Sequence, residues 1–349
     1  MRFLVVLKSI TSGVSYHRLI VPLNRLKQKG YDIEFINTFK DKEIKESDYD
    51  YLVFNRSLGY GFKDVEIIEK FKNEGVKIIL DIDDYWELPQ HHPIVWRNDI
   101  NYEEWKGSIM ANISYADYIW TSTEELKQKI KGIAPTTPII VSRNAIDYAD
   151  PQWKSVRPKS KNKRDVVVGY AGSTTHYMDL DIMKNPIRRL NQNKTLRNKI
   201  MFHLFGVDLN SDYGKIVWKH QIDVFTGGGK SENLMISGGI IVYNYSSFFE
   251  QMDIALAPLL DNDFNRCKSE LKILEAGSKY KPFIGTDMIT YSRASANVDL
   301  CSSEDDWVES IKELVMDKQL RESLGRELGE FVRDEWILDV ENQKRLHIL

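Results

Sequence analysis

The stretch Ala257–Asp287, APLLDNDFNRCKSELKILEAGSKYKPFIGTD, decides how this chain is read. It opens on the end of an apolar strand, Ile254 to Leu260, and breaks at a polar loop, Asp261 to Lys268. A helix is expected from Ser269 to Lys279; Lys281-Pro282 stops it, and Phe283-Ile284-Gly285 starts the next strand. Such a loop is an anion site in outline, because the N–H groups of the helix's first turn and the positive end of its dipole face it. The loop adds Asn265, Arg266, Lys268 and Ser269, and Glu275 sits one turn into the helix. Cations and N–H groups suit a phosphate and a carboxylate suits hydroxyls, so the set fits a nucleotide-type ligand. The same residues also fit an ordinary strand–helix unit, with Glu275 paired to Lys272 or Lys279 on the helix face.

Working outward, the same alternation fills the chain. Strands are expected at Phe3–Leu7, Tyr31–Ile36, Tyr51–Asn55, Val76–Asp81, Tyr118–Thr121 and Pro138–Val141, with helices between them, the first from Tyr16 to Lys29. The polar, basic stretch from Asp150 to Asp165 carries two prolines and reads as a linker. Alternation then restarts with Asp165–Tyr170, Ile200–Phe205, Ile222–Phe225 and Gly238–Tyr243 as strands. A helix from Tyr177 to Leu190 is expected to break at Pro186. The fold class is therefore α/β, with two Rossmann-like doubly wound domains at residues 1–150 and 165–325. Residues 151–164 form the linker and residues 326–349 a helical segment.

Composition narrows the function. At 349 residues two domains are the default, and a net charge of −3 gives no bulk footprint for nucleic acid or an anionic membrane. Two cysteines, Cys267 and Cys301, build no disulfide framework or zinc cluster and suit a reducing, cytoplasmic setting. No apolar run reaches the roughly 18 residues of a membrane span. The basic cluster Lys159 to Arg164 is either a solvated surface or a phosphate contact.

In doubly wound sheets ligands sit at the carboxyl ends of strands, which singles out four loops. Ser12-Gly13-Val14-Ser15 with Tyr16, His17 and Arg18 lacks the dinucleotide GxGxxG pattern, but small residues there admit a ligand; otherwise it is a tight turn with His17 and Arg18 on the surface. Asp81-Ile82-Asp83-Asp84 clusters carboxylates that suit a metal, a general base or sugar hydroxyls, or merely cap a loop. Gly172-Ser173-Thr174-Thr175-His176 with Asp179 forms a plausible diphosphate cradle. The opening stretch is the fourth.

Together, VVVGYAGSTTHYMD (Val166–Asp179) and the opening stretch resemble a GT-B glycosyltransferase, and within that fold the retaining, nucleotide-sugar-dependent group called glycosyltransferase family 4. Ala116-Asp117-Tyr118 through Ser122-Thr123 and Asn144-Ala145-Ile146-Asp147 resemble further segments of that family. The resemblance implies two domains facing a cleft, acceptor on the first and donor on the second, with the last helix crossing back. Glu275 matches the second glutamate of the family's E-x7-E pattern, which holds the donor ribose; the first falls on Cys267. Reading the strand-end loops on that fold puts Gly13, Gly172, Ser173, Thr174, His176, Asn265, Arg266, Lys268, Ser269 and Glu275 on the donor; where the family commonly has Arg and Lys in the loop after the first strand of the second domain, this chain has Ser173, His176 and Asp179, so His176, Arg266 and Lys268 are expected as the cations. The same reading places Ser12, Ser15, Tyr16, Arg18 and Asp81 on the acceptor side, and His176, Lys268, Asp83 and Asp84 at the reacting centre. The resemblance implies a UDP or GDP sugar as donor, no obligatory metal or cofactor, and an acceptor that is a glycan, a lipid-linked sugar or a modified nucleobase. A phage-type DNA nucleobase glucosyltransferase, a sugar-nucleotide epimerase and a non-catalytic nucleotide-sugar binder remain alternatives.

Overall fold

The fold comes from a computed structural model that describes residues 1–40, 43–97, 99–154, 166–208, 210–226, 233–347 and 349, without the side chains of Thr174 and Tyr213. Among the described residues, twelve strands form two wholly parallel six-stranded sheets. The first contains β1 (Arg2–Val6), β2 (Asp32–Ile36), β3 (Tyr51–Asn55), β4 (Lys77–Ile82), β5 (Tyr118–Thr121) and β6 (Ile139–Val141), in the order β2-β1-β3-β4-β5-β6. The second contains β7 (Val166–Ala171), β8 (Ile200–Val207), β9 (Leu234–Gly238), β10 (Ile254–Ala257), β11 (Phe283–Thr286) and β12 (Asp299–Cys301), in the order β12-β11-β10-β7-β8-β9.

Parallel strands must bury both faces, and their composition follows from that. On β1, Leu4 and Val6 join Leu52, Phe54, Ile78 and Leu80 on one side of the first sheet. Phe3 and Val5 join Val53, Ile79 and Trp120 on the other, beneath Leu19, Leu23 and Leu26. The second sheet is covered likewise, by one core around Leu180, Ile187, Trp218 and Trp307 and another around Phe248, Ile273, Leu328 and Trp336.

The final helix, Leu338–His347, lies against the first domain. Arg25 grips Asp339 through two bonds of 2.8 and 2.9 Å, and Asn342 Nδ2 donates to the Pro22 carbonyl at 2.8 Å.

Several elements differ from the sequence expectation. Ile222–Phe225 ends the helix Asp212–Thr226 instead of forming a strand; Val224 and Phe225 reach the core from one helical face. A four-residue apolar run suits either element. The strand expected at Gly238–Tyr243 is displaced to Leu234–Gly238, and Val242–Asn244 is a 3-10 turn. Pro186 is the third residue of the helix Lys184–Gln192, where a missing N–H costs nothing, so it starts that helix rather than breaking it. The helix expected at Ser269–Lys279 is present as Leu271–Ser278, and the loop expected at Asp261–Lys268 contains a helical turn of its own, Asp263–Arg266. Pro151–Lys154 is a helical turn. The rest of the expected linker 151–164, with the cluster Lys159 to Arg164, lies outside the described residues, as do Gly227-Gly228-Gly229.

The carboxyl end of β4 is anchored from within. Arg18 Nη2 lies 2.6 Å from Asp81 Oδ1, with both groups fully buried, and Asn55 Nδ2 donates to Asp81 Oδ2 at 2.8 Å. Asp81→Asn strips the counter-charge from a buried guanidinium, and urea unfolding should show a loss of about 3–5 kcal/mol.

Candidate functional site

In the first sheet the chain reverses direction of travel between β1 and β3, and in the second between β7 and β10. At such a reversal the flanking connections leave on opposite faces and a crevice opens beyond the strand ends. The two crevices share one cavity of about 430 Å³, lined from the first domain by Gly13, His17, Arg18, Asp83, Asp84 and Asn144 and from the second by Gly172, Ser173, His176, Lys268, Ser269, Lys272 and Glu275, among others.

The Gly172 turn is held by backbone packing. Gly206 is left-handed at φ 88, and a Cβ there would stand 2.4 Å from the Gly172 carbonyl oxygen. Only glycine meets both demands. Thr174 begins the 3-10 turn Thr174–His176; its side chain lies outside the described set.

On the second-domain wall, Leu271–Ser278 has no side chain capping its first turn. Ser269 ahead of it and its first two residues, Leu271 and Lys272, line the cavity. Lys272 Nζ donates to Glu275 Oε2 at 2.9 Å and to Tyr245 Oη at 2.6 Å. Glu275 therefore pairs with Lys272; Lys279 turns inward to Glu250 at 2.8 Å. Burial lifts the Glu275 carboxyl above its ordinary value against the pull of Lys272, while Lys272 is held charged chiefly by Glu275 despite its own burial. Burial also pushes the Tyr245 phenol up to about 12. Across the cavity, His17 Nε2 stands 3.7 Å from Glu275 Oε1, beyond hydrogen-bond reach. Burial, with Lys272 and Arg18 nearby, pushes His17 down to about 3, so it faces Glu275 as a neutral ring.

His176 Nδ1 donates to Asp179 Oδ2 at 2.8 Å, and Asp179 Oδ1 also accepts from the Leu260 N–H and from Asn265 Nδ2. Burial and the charge of Lys268 hold the imidazole below its ordinary value. His176 is thus a neutral, oriented ring at pH 7 and not one of the expected cations. Asn265 is buried behind the loop, bracing Asp179 and the Leu260 carbonyl. Arg266 faces solvent, bound to Asp261 at 2.6 and 2.8 Å, and does not line the cavity. Asp261, five residues before it, was the available signal. Lys268 and Lys272 supply the positive charge instead.

On the first-domain wall, Asp83 and Asp84 line the cavity and Asp81 does not. Arg18 and His17, open to a surface reading in sequence, are buried, and the guanidinium is used up by Asp81, the Ser142 carbonyl and Asn144. The acceptor-side group thins further. Tyr16 Oη donates to Asp150 and accepts from Gln152 and Trp153, and Ser12 and Ser15 bond to each other.

The domains meet around the opening stretch. Thr123 Oγ1 donates to the Cys267 carbonyl at 2.9 Å, Asn144 Nδ2 to Ser269 Oγ at 2.7 Å, and Lys129 pairs with Asp263 at 2.7 Å. Cys267 is buried within the first domain's core cluster. Among the cavity residues, the sequence put His17 in a strand-end loop and Asn144 in a family-like segment without giving either a site role, and it passed over Tyr245, which only the tertiary fold brings to the strand ends.

No known protein family and no curated protein matches the sequence. Solved structures do match. The two facing doubly wound sheets are the GT-B fold, shared with sucrose-phosphate synthase from Thermosynechococcus elongatus at 8% identity over 100% of this chain and 98% of that one, with a TM-score of 0.70. The E. coli trehalose-6-phosphate structure bound with UDP-2-fluoro glucose matches at 11% identity over 99% and 98% of the two chains, TM-score 0.66. A TarM variant from S. aureus, in complex with fondaparinux, alpha-GlcNAc-glycerol and UDP, matches at 15% identity over 89% of this chain, TM-score 0.62. The present chain spans 57% of that TarM's length.

Buried neutral histidines set an acid limit. Burial pushes His17 to about 3 and His92 and His203 each to about 4. Their unfolded counterparts titrate at about 6.5, so below that pH the unfolded chain binds protons the folded one refuses. The histidines' contribution to folding stability is full above pH 6.5 and falls as pH drops toward 4, by roughly 1 kcal/mol per pH unit for each such histidine. Urea unfolding at pH 7, 6 and 5 should show this slope, and His17→Gln should flatten it by about one proton.

Proposed function

We propose that this chain is a glycosyltransferase that moves a sugar from a nucleoside diphosphate sugar to a hydroxyl acceptor, with retention and with UDP as the leaving group. One observation carries the reading: two lysines and an uncapped helix start at the end of β10 face a pair of carboxylates across one cavity. Departure of the nucleotide places charge on the diphosphate, and Lys268, Lys272 and the first-turn N–H groups are arranged to meet it. Glu275, oriented by Lys272, suits the two ribose hydroxyls. The neutral His176, fixed by Asp179, presents an unprotonated Nε2 that accepts a bond from a sugar hydroxyl. Asp83 and Asp84 take the acceptor side and lend negative charge to an oxocarbenium-like centre.

Retention with front-face attack needs no enzymatic base, because the departing diphosphate oxygen takes the acceptor's proton. UDP is preferred over GDP because UDP or a UDP sugar occupies two of the structural neighbours. The acceptor stays at the level of a hydroxyl compound: the basic cluster that would favour a nucleobase lies outside the described residues.

The test is nucleotide release from a panel of UDP and GDP sugars, followed by NMR of the product's anomeric configuration. Lys268→Ala should lower kcat/KM for the donor by roughly 10²-fold. Arg266→Ala, on the solvent side, should change it by less than about twofold. Comparable losses in both variants would remove Lys268 from the diphosphate.

A further inference from the structure

Arg56 follows β3 directly and is left-handed, at φ 55. L side chains rarely adopt this backbone, and where they do the surroundings must impose it. Here the Arg56 N–H donates to the Asp81 carbonyl at 3.0 Å, and the Arg56 carbonyl accepts from Asn112 Nδ2 at 3.0 Å. The result is a guanidinium that spans two carboxylates, with Nε 2.8 Å from Asp83 Oδ1 and Nη2 3.2 Å from Asp84 Oδ2.

Asp84 has a second cation. Its other oxygen, Oδ1, lies 3.3 Å from Lys268 Nζ of the second domain. One carboxylate is thus held from opposite walls, by Arg56 behind it and by Lys268 across the cleft. Lys268 also sits 4.2 Å over the Phe264 ring and lines the cavity. Lys268 cannot give its full attraction to Asp84 and to a diphosphate at once. With Arg56 on Oδ2, the charge of Asp84 is shared; without it, Lys268 is the cation left within bonding distance among the described residues.

Resting on the nucleotide reading above, we propose that Arg56 is a positioning residue that holds Asp84 to the first domain and so keeps Lys268 exchangeable, ready for the diphosphate of a nucleotide. The strained backbone is the means: it aims the guanidinium at both carboxylates.

The experiment is a double-mutant cycle read as the Kd of UDP, with GDP in parallel, by titration calorimetry on the whole chain. Arg56→Gly removes the guanidinium, and glycine suits the φ 55 backbone. It should weaken UDP about five- to tenfold, the lower range of coupling between sites. Arg56→Lys should lose less, since a point charge can hold one carboxylate but not fork across two. Adding Asp84→Asn to Arg56→Gly removes the competitor for Lys268 and should return the Kd to within about twofold of wild type. A merely structural role for Arg56 would not be rescued in this way. Unchanged UDP affinity in Arg56→Gly, or a loss that Asp84→Asn does not recover, overturns the proposal. Should circular dichroism show Arg56→Gly unfolded, Arg56→Lys with and without Asp84→Asn carries the same cycle. If wild type binds neither UDP nor GDP, the nucleotide reading falls and takes this inference with it; wild-type binding with a flat cycle removes the inference alone.

Discussion

A carboxylate taken out of water must find a cation, and the first wall of the cleft is organised by that demand. Arg18 neutralises Asp81, Asn55 spans Asp81 and Asp83, Arg56 spans Asp83 and Asp84, and Lys268 closes the series from the other domain. Side-chain exposure rises along the ladder from 0% at Asp81 to 12% at Asp83 and 29% at Asp84. Desolvation penalties fall in the same direction. The inner rung is therefore fixed, because losing its partner strands a buried charge, while the outer rung can trade one partner for another at little cost. On the proposed reading, structure and function separate along a single run of four residues.

The second wall obeys the same demand with one helix. Lys272 and Lys279 lie two turns apart on or at the end of Leu271–Ser278, yet one faces the cavity with Glu275 and the other is buried against Glu250. The inner pair ties the helix to Ser246–Glu250, and Lys279 also donates to the Gln152 carbonyl in the helical turn Pro151–Lys154. The outer pair keeps a lysine charged where an anion would bind. His17 completes this wall from the first domain without adding charge, since burial keeps it neutral.

Much of this was legible in the sequence because parallel strands, buried on both faces, read as unbroken apolar runs such as Phe3–Leu7 and Val166–Val168. The rule that ligands gather at strand ends then picked out Asp83, Asp84, Gly172, His176, Lys268 and Glu275, all of which line the cavity. Side-chain partners were less legible. Arg266 resembles Lys268 in sequence, but Asp261 draws it to solvent while Asp84, far along the chain, draws Lys268 inward. Arg18 looks like a surface cation until the fold places Asp81 beside it. Arg56 carries no local signal, because left-handed backbone at a non-glycine residue is imposed by Asp81 and Asn112 through tertiary contacts. β12, three residues at a sheet edge, is too short to show a periodic pattern.

Cys267 stands where the resemblance would put the first glutamate of E-x7-E. Its side chain belongs to the buried cluster of Trp86, Leu126 and Ile130, and its carbonyl accepts from Thr123, the cap of Glu124–Lys131. A glutamate here would place a charge in that apolar cluster, at a cost of several kcal/mol without a partner. The position therefore serves domain docking, and it cannot also present a carboxylate to the cavity. On the proposed reading, the carboxylates available to the transferred sugar are then those of the facing wall, Asp83 and Asp84. Sugar recognition would depend on the first domain being docked, and Cys267 makes one of the contacts that dock it.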